Sequence, residues 1–454
     1  MKKSNKNLTF SSKIGLIAAT VGSAVGLGNI WRFPAVAQAN GGGAFLIIYI
    51  GCVILLGIPV MLAEFSIGRA GKSDAIGSMK SLGAGKGWRS FGGLSIMAAY
   101  LILSFYMVVV GWTVEYLWES ITGELYANVG PDMKSTFAGH MKEYISDTWT
   151  PMVATVIMIV INIGVLLGGV QKGIERLSNW LMPVLFVLLV VFCIRALSFE
   201  KALEGYTFFL RPDWSVVTSG TFISALGQAF FSLSLGMGVL VTYSSYLPGD
   251  TNLPKTAVTV SLLDMLVAVM MWLIIFPAVM SFGLNGEGIE GATLVFVTLP
   301  EVFMQMHGTQ IWSILFFLLL AVAALTSTIS VAEVAVACIR DRFKVSRLKA
   351  VLIVMLPLFV ISPICSLSQG ALSGVTIFGL SIFTFLDTLA TNVLLPVVSI
   401  GLCIWLGWFA PKGLLSDQLS NAGSLKTRLA MPIRFIIRWI APLLILTVFI
   451  CGFL

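Results

Sequence analysis

The chain has 454 residues, 57% of them hydrophobic and 11% charged, a balance that excludes a soluble globule and specifies a polytopic membrane protein. Its formal charge of +7 is gathered beside apolar runs without interleaved aromatic residues, which speaks against a nucleic-acid partner. With 2 histidines, both in expected outer loops, and no GxxxxGK[ST] loop, the chain lacks parts for His-based metal or triad chemistry and for an ATP-driven pump, so no enzymatic activity is expected.

Apolar runs long enough to cross a bilayer fall at about 13–36, 43–68, 91–120, 151–170, 177–198, 220–246, 257–283, 309–340, 347–366, 378–408 and 430–453, which predicts an all-α protein of roughly eleven spans. The lipid bilayer is therefore its first partner. Basic residues cluster before the first run (Lys2, Lys3, Lys6, Lys13), after the second (Arg69, Lys72, Lys80, Lys86, Arg89) and after the eighth (Arg340, Arg342, Lys344, Arg347, Lys349). The loop at 284–308 has no Lys or Arg and carries Glu287, Glu290 and Glu301. The positive-inside bias then predicts a cytoplasmic N-terminus and, with an odd number of spans, an extracytoplasmic C-terminus. The first run is too long for a cleavable signal and lacks a small-residue cleavage site. Cys52, Cys193, Cys338, Cys365, Cys403 and Cys451 lie in or beside apolar runs without CxxC spacing and read as small packing residues.

Two of these runs are interrupted where a membrane helix should continue: Gly22-Ser-Ala-Val-Gly-Leu-Gly-Asn29 in the first and Ser232-Leu-Ser-Leu-Gly-Met-Gly238 in the sixth. Irregular backbone at membrane depth is tolerated where it lines a protein-enclosed cavity, so paired breaks point to a transporter with its site at the midplane. Without a phosphate cradle, uphill movement must draw on an ion gradient. Sodium is a hard cation that favours oxygen ligands. One cage can be drawn from the carbonyls at Gly22 to Val25, the amide of Asn29, the hydroxyl of Ser232 and the carboxylate of Asp264. Thr326 and Ser327, just after Ala323, can complete a second. The competing interpretation is that Gly22-xxx-Gly26 simply lets helices approach while Thr and Ser bond their own backbone.

Charges inside apolar runs are costly and mark positions with a partner or a purpose: Arg32, Glu64, Glu115, Asp264, Glu333 and Asp387. Glu115, flanked by Trp112 and Trp118, reads as interfacial. Glu333 fits equally a buried polar brace or a proton or ion group. Glu64 can support the exposed backbone of a broken helix, because a carboxylate accepts several N–H bonds.

The run Gly22-Ser-Ala-Val-Gly-Leu-Gly-Asn-Ile-Trp-Arg-Phe-Pro34 with Asn40-Gly-Gly-Gly-Ala-Phe45 resembles the first-helix signature of the neurotransmitter:sodium symporter family. Gly227-Gln-Ala-Phe-Phe-Ser-Leu-Ser-Leu-Gly-Met-Gly238, ending in Thr242-Tyr243, resembles its sixth-helix signature, and Glu64-Phe-Ser-Ile-Gly-Arg69 the end of its second. The likeness extends over essentially the whole chain and is greatest to the bacterial eleven-helix branch, whose members lie in the plasma (inner) membrane.

The resemblance implies one transporter domain, 1–454, made of two inverted five-helix repeats, about 13–200 and about 220–410, with helix 430–453 appended. It implies two sodium ions. The first is held by Ala24, Asn29, Ser232 and Asp264 with the substrate carboxylate, the second by Gly22, Val25, Ala323, Thr326 and Ser327. The amino acid would bind between the breaks, its carboxylate at the N–H groups of Gly26, Leu27 and Gly28 and at Tyr106, its ammonium at carbonyls from Phe231 to Ser234, in line with the half-helix dipoles. Ala24 and Ser232 would also touch it. Ile102, Phe231, Leu235, Met237, Thr328 and Val331 would face its side chain, an apolar wall that suits hydrophobic L-amino acids. Gly236 and Gly238 beside a flexible Met237 give room for both aliphatic and aromatic cargo.

Asp264 stands where many relatives have Asn, and Ala268 where chloride-dependent relatives have Ser. A fixed carboxylate supplies the negative charge that chloride otherwise provides beside two sodium ions, so no chloride requirement is expected. Deprived of its cation, the same buried charge can be neutralised by a proton on the return step, giving proton antiport. Arg32 and Asp387 resemble the outer gate pair and Asp341 the acidic partner of the inner gate. Asn7 and Phe10 replace the usual arginine and tryptophan there, with Lys6 as a substitute cation. Gly173 and Pro183 resemble the spacing at which the fifth helix unwinds to open a water path to the second sodium, although for Pro183 alone an ordinary kink is an equal reading. Sodium-coupled symport by alternating access is the implied function; a non-transporting amino-acid sensor and a sodium channel are the rival classes.

Overall fold

The computed structural model describes residues 10, 12–283, 291–425 and 429–452. Apolar runs with few charges become helices because a helix satisfies its backbone groups internally, the condition a bilayer imposes. In chain order the helices are α1 (Lys13–Ala24), α2 (Gly28–Ala39), α3 (Gly43–Gly71), α4 (Ala75–Ser81), α5 (Lys86–Thr122), α6 (Met133–Ser146), α7 (Thr150–Leu167), α8 (Val170–Leu197), α9 (Ala202–Leu210), α10 (Ser219–Ser232), α11 (Val239–Ser245), α12 (Leu253–Ser281), α13 (Gly291–Met304), α14 (Thr309–Phe343), α15 (Arg347–Leu367), α16 (Ile382–Phe409), α17 (Leu414–Ser420) and α18 (Ala430–Cys451). A short antiparallel pair, Thr376–Ile377 with Leu380–Ser381, precedes α16.

Among the described residues, 9 helices are long and apolar enough to cross a membrane: α3, α5, α7, α8, α12, α14, α15, α16 and α18. α1 and α2 together form a further one, bent by 56° at its break. The expected run at 220–246 is divided into α10 and α11, 14 and 7 residues long. The protein is thus an all-helical, multi-pass membrane protein, as its composition requires.

Burial sorts the helices into a centre and a rim. The apolar window of α14 is 72% buried and those of α5 and α12 61%, against 22% for α18 and 33% for α8. α5 lies along both α14 and α7, and α3 lies along α11. On α7, Val153, Ile157, Val160 and Ile161 are exposed at helical spacing, a stripe suited to lipid contact. Contact between α3 and α11 is backbone-close: a Cβ at Gly68 would stand 2.0 Å from the Val241 carbonyl oxygen.

Sequence reading leaves 284–308 as a loop, but residues 291–304 form α13, with Leu294, Phe296, Val302 and Phe303 buried. Glu287 and Glu290 lie outside the described residues. α13 is held by aromatic packing: the Phe296 ring lies 4.9 Å from Tyr116, 5.9 Å from Trp112 and 6.2 Å from Trp31. It thereby covers the end of the bundle at which α1 resumes as α2.

Candidate ion and substrate site

The two interruptions lie against each other. After Ala24 the chain leaves helical geometry at Val25 (φ −69°, ψ 111°) and resumes at Gly28. The second break, from Leu233 to Gly238, contains Ser234, Gly236 and Gly238 at φ +54°, +81° and +73°. Glycine reaches that left-handed region freely, whereas Ser234 is strained there, as residues at functional sites often are. Three side-chain bonds join the breaks. Ser234 Oγ donates to the Ser23 carbonyl (3.1 Å), Gln228 Nε2 to the Gly28 carbonyl (3.2 Å), and Asn29 Nδ2 to Ser232 Oγ (3.0 Å). Glu64, fully buried on α3, accepts from the Gly236 N–H at 2.7 Å. Its carboxylate therefore takes up a donor that the broken helix leaves free.

Asn29, Ser232 and Asp264 meet in one cluster. Asp264, on α12 and fully buried, accepts from Ser232 Oγ (2.7 Å) and Asn29 Nδ2 (2.8 Å). The Asn29 amide oxygen accepts from the Gly26 N–H (3.2 Å). Among the described residues no Lys, Arg or His forms an ion pair with Asp264, and no group of three His, Cys, Asp or Glu side chains is arranged to hold a metal. A buried carboxylate surrounded only by neutral dipoles is stable as an ion only beside a cation, and otherwise takes a proton. Hydroxyl, amide and carbonyl oxygens around it are the donors that a small hard cation takes, so this cluster fits sodium.

The second oxygen set is neutral. A Cβ at Gly22 would lie 3.1 Å from Thr326 Cβ, and Ser327 Oγ donates to the Ser23 carbonyl at 3.5 Å, so α14 and the end of α1 are in contact here. Thr326 Oγ1 donates to the carbonyls of Ala323 (3.0 Å) and Val322 (3.2 Å). Val25 is buried at the same level.

Between the breaks lies a cavity of about 60 Å3 lined by Ser23, Ala24, Gly26, Leu27, Gly28, Ile102, Phe105, Tyr106, Phe231, Ser232, Ser234, Met237, Ser327 and Val331. Most residues expected at the substrate are here; Leu235 and Thr328 are buried outside this lining. Sequence reading missed Ser23 and Phe105. Phe105 was reachable, since it shares a helix face with Ile102 and Tyr106. The Leu27 N–H donates to Tyr106 Oη at 3.5 Å. Phe231 lies over Gly28, where a Cβ would come within 2.8 Å of the ring. The same ring also borders a larger cavity, about 220 Å3, that includes Arg32, Thr391 and Asn392. Phe231 thus partitions the two spaces.

The residues expected at the gates are disposed unequally. Arg32 stacks on the Phe231 ring at 4.5 Å and closes no ion pair with Asp387, which instead meets its own Thr391 Oγ1 at 3.4 Å. At the other end Asp341 pairs with its neighbour Arg340 (2.9 Å) and accepts from the Asp74 N–H (3.3 Å). Glu333, fully buried, receives both nitrogens of the Arg347 fork (3.1 and 2.8 Å) and the Tyr246 hydroxyl (2.9 Å). Of its two readings, that geometry favours the brace. Phe10 packs edge-on against Tyr243, centroids 5.6 Å apart; Lys6 and Asn7 lie outside the described residues. Gly173 sits in a π-helical turn, Val170–Glu175, at the start of α8, and Pro183 lies within that helix.

Comparison with known proteins agrees with this architecture. The model of the sodium:neurotransmitter symporter family matches residues 7–136 and 133–454. The crystal structure of MhsT in complex with L-phenylalanine superposes with a TM-score of 0.87 at 40% identity, covering 98% of this chain and 99% of that one. The uncharacterized sodium-dependent transporter YhdH of Bacillus subtilis is 36% identical over 445 residues, 98% of this chain and 97% of its own length. The sodium-dependent serotonin transporter of Drosophila melanogaster is 26% identical over 484 residues, 97% of this chain and 76% of its own. The chain belongs to the sodium:neurotransmitter symporter family.

Proposed function

We propose that this protein is a sodium-coupled symporter that carries hydrophobic L-amino acids, aliphatic and aromatic, into the cell by alternating access. The observation that carries the reading is Asp264: a fully buried carboxylate with no ion-paired cationic side chain among the described residues, bonded to Asn29 and Ser232 beside both helix breaks. One sodium binds with Asp264, Asn29, Ser232 and Ala24, and a second with Gly22, Val25, Ala323, Thr326 and Ser327. The substrate carboxylate meets the first sodium, the N–H groups at Gly26 to Gly28 and Tyr106. Its side chain meets Ile102, Phe231, Met237 and Val331, a lining consistent with the L-phenylalanine that MhsT holds in its crystal structure. A cavity of about 60 Å3 holds only a handful of waters. An aromatic cargo therefore requires Phe231 and the flexible Met237 to yield.

Asp264 makes transport chloride-independent by supplying the compensating charge itself, and accepts a proton on the return step in exchange for sodium. α10 and α11 count as one span, giving eleven in two inverted five-helix repeats plus α18. The basic loops are cytoplasmic, in a bacterial plasma membrane. Arg32 and Asp387 close the outer side over Phe231, and the Asp341 end opens for release.

The test is uptake of radiolabelled leucine, phenylalanine and tryptophan into proteoliposomes under an inward sodium gradient, with chloride or gluconate as the anion. Accumulation that needs sodium and ignores chloride is expected. Saturable binding without accumulation would replace the symporter by a sensor.

A further inference from the structure

The end of α16 and the first part of α18 meet closely. A Cβ at Gly407 would stand 2.8 Å from the Arg438 Cα and 3.1 Å from its Cβ, so glycine at 407 lets the Arg438 stem lie against α16. Both helices widen at this level: Trp405–Phe409 and Ile436–Ile440 are π-helical turns, a rare geometry that recurs at functional sites.

Trp408 fixes the arginine twice. Its indole Nε1 donates to the Arg438 carbonyl (3.1 Å), and its ring centroid lies 3.7 Å from the guanidinium carbon. Trp439 adds a second ring at 5.6 Å, packed edge-on against Trp408 with centroids 4.5 Å apart. The charge is held over aromatic faces, yet nothing negative answers it. Among the described residues Arg438 forms no ion pair, and its Nε is buried without a hydrogen-bond partner. Arg434, exposed and one turn earlier on α18, adds a second cation on the same face.

The surroundings say what answers that charge. The apolar window of α18 is the least buried among the spanning helices, and Phe409, Phe435 and Trp439 around Arg438 are exposed. Such side chains face acyl chains, and tryptophans near a helix end belong at headgroup level. An arginine there keeps its stem on apolar surface and its head at the depth of phosphates, where its planar fork matches two phosphate oxygens.

We propose that Arg438, stacked on Trp408 and Trp439, binds the phosphate of an anionic phospholipid at the junction of α16 and α18. Preference for an anionic headgroup follows from charge, since a zwitterionic one would bring its own ammonium against two unanswered arginines. The lipid then clasps α18, the helix with least protein contact, to α16. This site is independent of which solute the chain carries.

Lipid binding to the purified, delipidated full-length protein tests it, counted by native mass spectrometry with phosphatidylglycerol or phosphatidylcholine of identical chains. The wild type should hold its tightest phosphatidylglycerol about tenfold more firmly than phosphatidylcholine. Arg438→Gln should erase that preference and leave phosphatidylcholine binding unchanged. Arg438→Lys should keep only part of it, because an ammonium lacks the fork, and Arg434→Gln should lose less than Arg438→Gln. Glycerol phosphate in excess should not displace the lipid. Equal binding of the two lipids by the wild type, or an undiminished preference in Arg438→Gln, overturns the proposal. Displacement by glycerol phosphate overturns the lipid as occupant and leaves a free phosphate in its place. Should Arg438→Gln fail to fold, the wild-type comparison and Arg438→Lys decide.

Discussion

The two oxygen sets beside the breaks differ in kind. Around Asp264 the side chains of Asn29 and Ser232, each from a different helix, meet a carboxylate that is fully buried. Around Thr326 the oxygens are neutral, and the hydroxyl is already satisfied by carbonyls of its own helix. The first set is incomplete without a positive charge. The second has its Thr326 hydroxyl already bonded and adjoins α8, a helix at the rim with a π-helical start. On the proposed symport reading, the charged set should bind the more firmly and release should begin at the neutral one.

Removing the charge should have the largest effect. Asp264→Ala deletes charge-assisted contacts of about 2–3 kcal/mol, so sodium affinity measured by substrate binding should fall roughly a hundredfold. Retention of wild-type affinity would remove the distinction between the two sets. Glu64→Ala comes next: it orphans the buried Gly236 N–H and should cost about 1–3 kcal/mol, read as a lower melting temperature in detergent, while Glu64→Gln keeps an acceptor and most of the stability. Thr326→Ala should do less, since its hydroxyl bonds locally. A shift of about 1 kcal/mol, or roughly fivefold in sodium midpoint, is expected, and a loss as large as that of Asp264→Ala would contradict the contrast.

The smallest effect lies outside the membrane. The hydrogen bond that His140 Nε2 donates to the Glu119 carboxylate (2.8 Å) raises the His140 pKa above its usual value against the opposing effect of burial. A raised folded pKa stabilises below the unfolded value, near 6.5, and that contribution fades as pH climbs through the folded one. Wild type and His140→Gln should therefore differ in melting temperature at pH 6, by on the order of one degree for a single half-buried pair, and converge by about pH 9.

Much of this was legible in the chain. Composition required spanning helices, and interrupted apolar runs at Gly22–Asn29 and Ser232–Gly238 located the breaks because few residues but glycine bend a membrane helix there. Asp264 announced itself as a charge inside an apolar run. The helix α13 was not legible, since a short run such as Leu294–Phe303 has no period that separates buried helix from loop. Pairings across the chain were also hidden: Glu175 with Ser12, 163 residues apart, and Arg347 with Glu333 around a loop. Periodicity reports which face of a helix is buried, but not which distant polar group it meets. Asp341 shows the same limit: among the described residues it pairs with the adjacent Arg340, a contact that no helical period announces.

The central claim is that Asp264 supplies the charge which sodium answers. Equilibrium binding of L-phenylalanine to the purified protein, titrated with sodium in chloride and in gluconate for wild type and Asp264→Asn, tests it most directly. The wild type should bind only with sodium and equally in both anions, and Asp264→Asn should need more sodium and gain from chloride. Sodium-independent binding, or a chloride requirement in the wild type, would contradict the account.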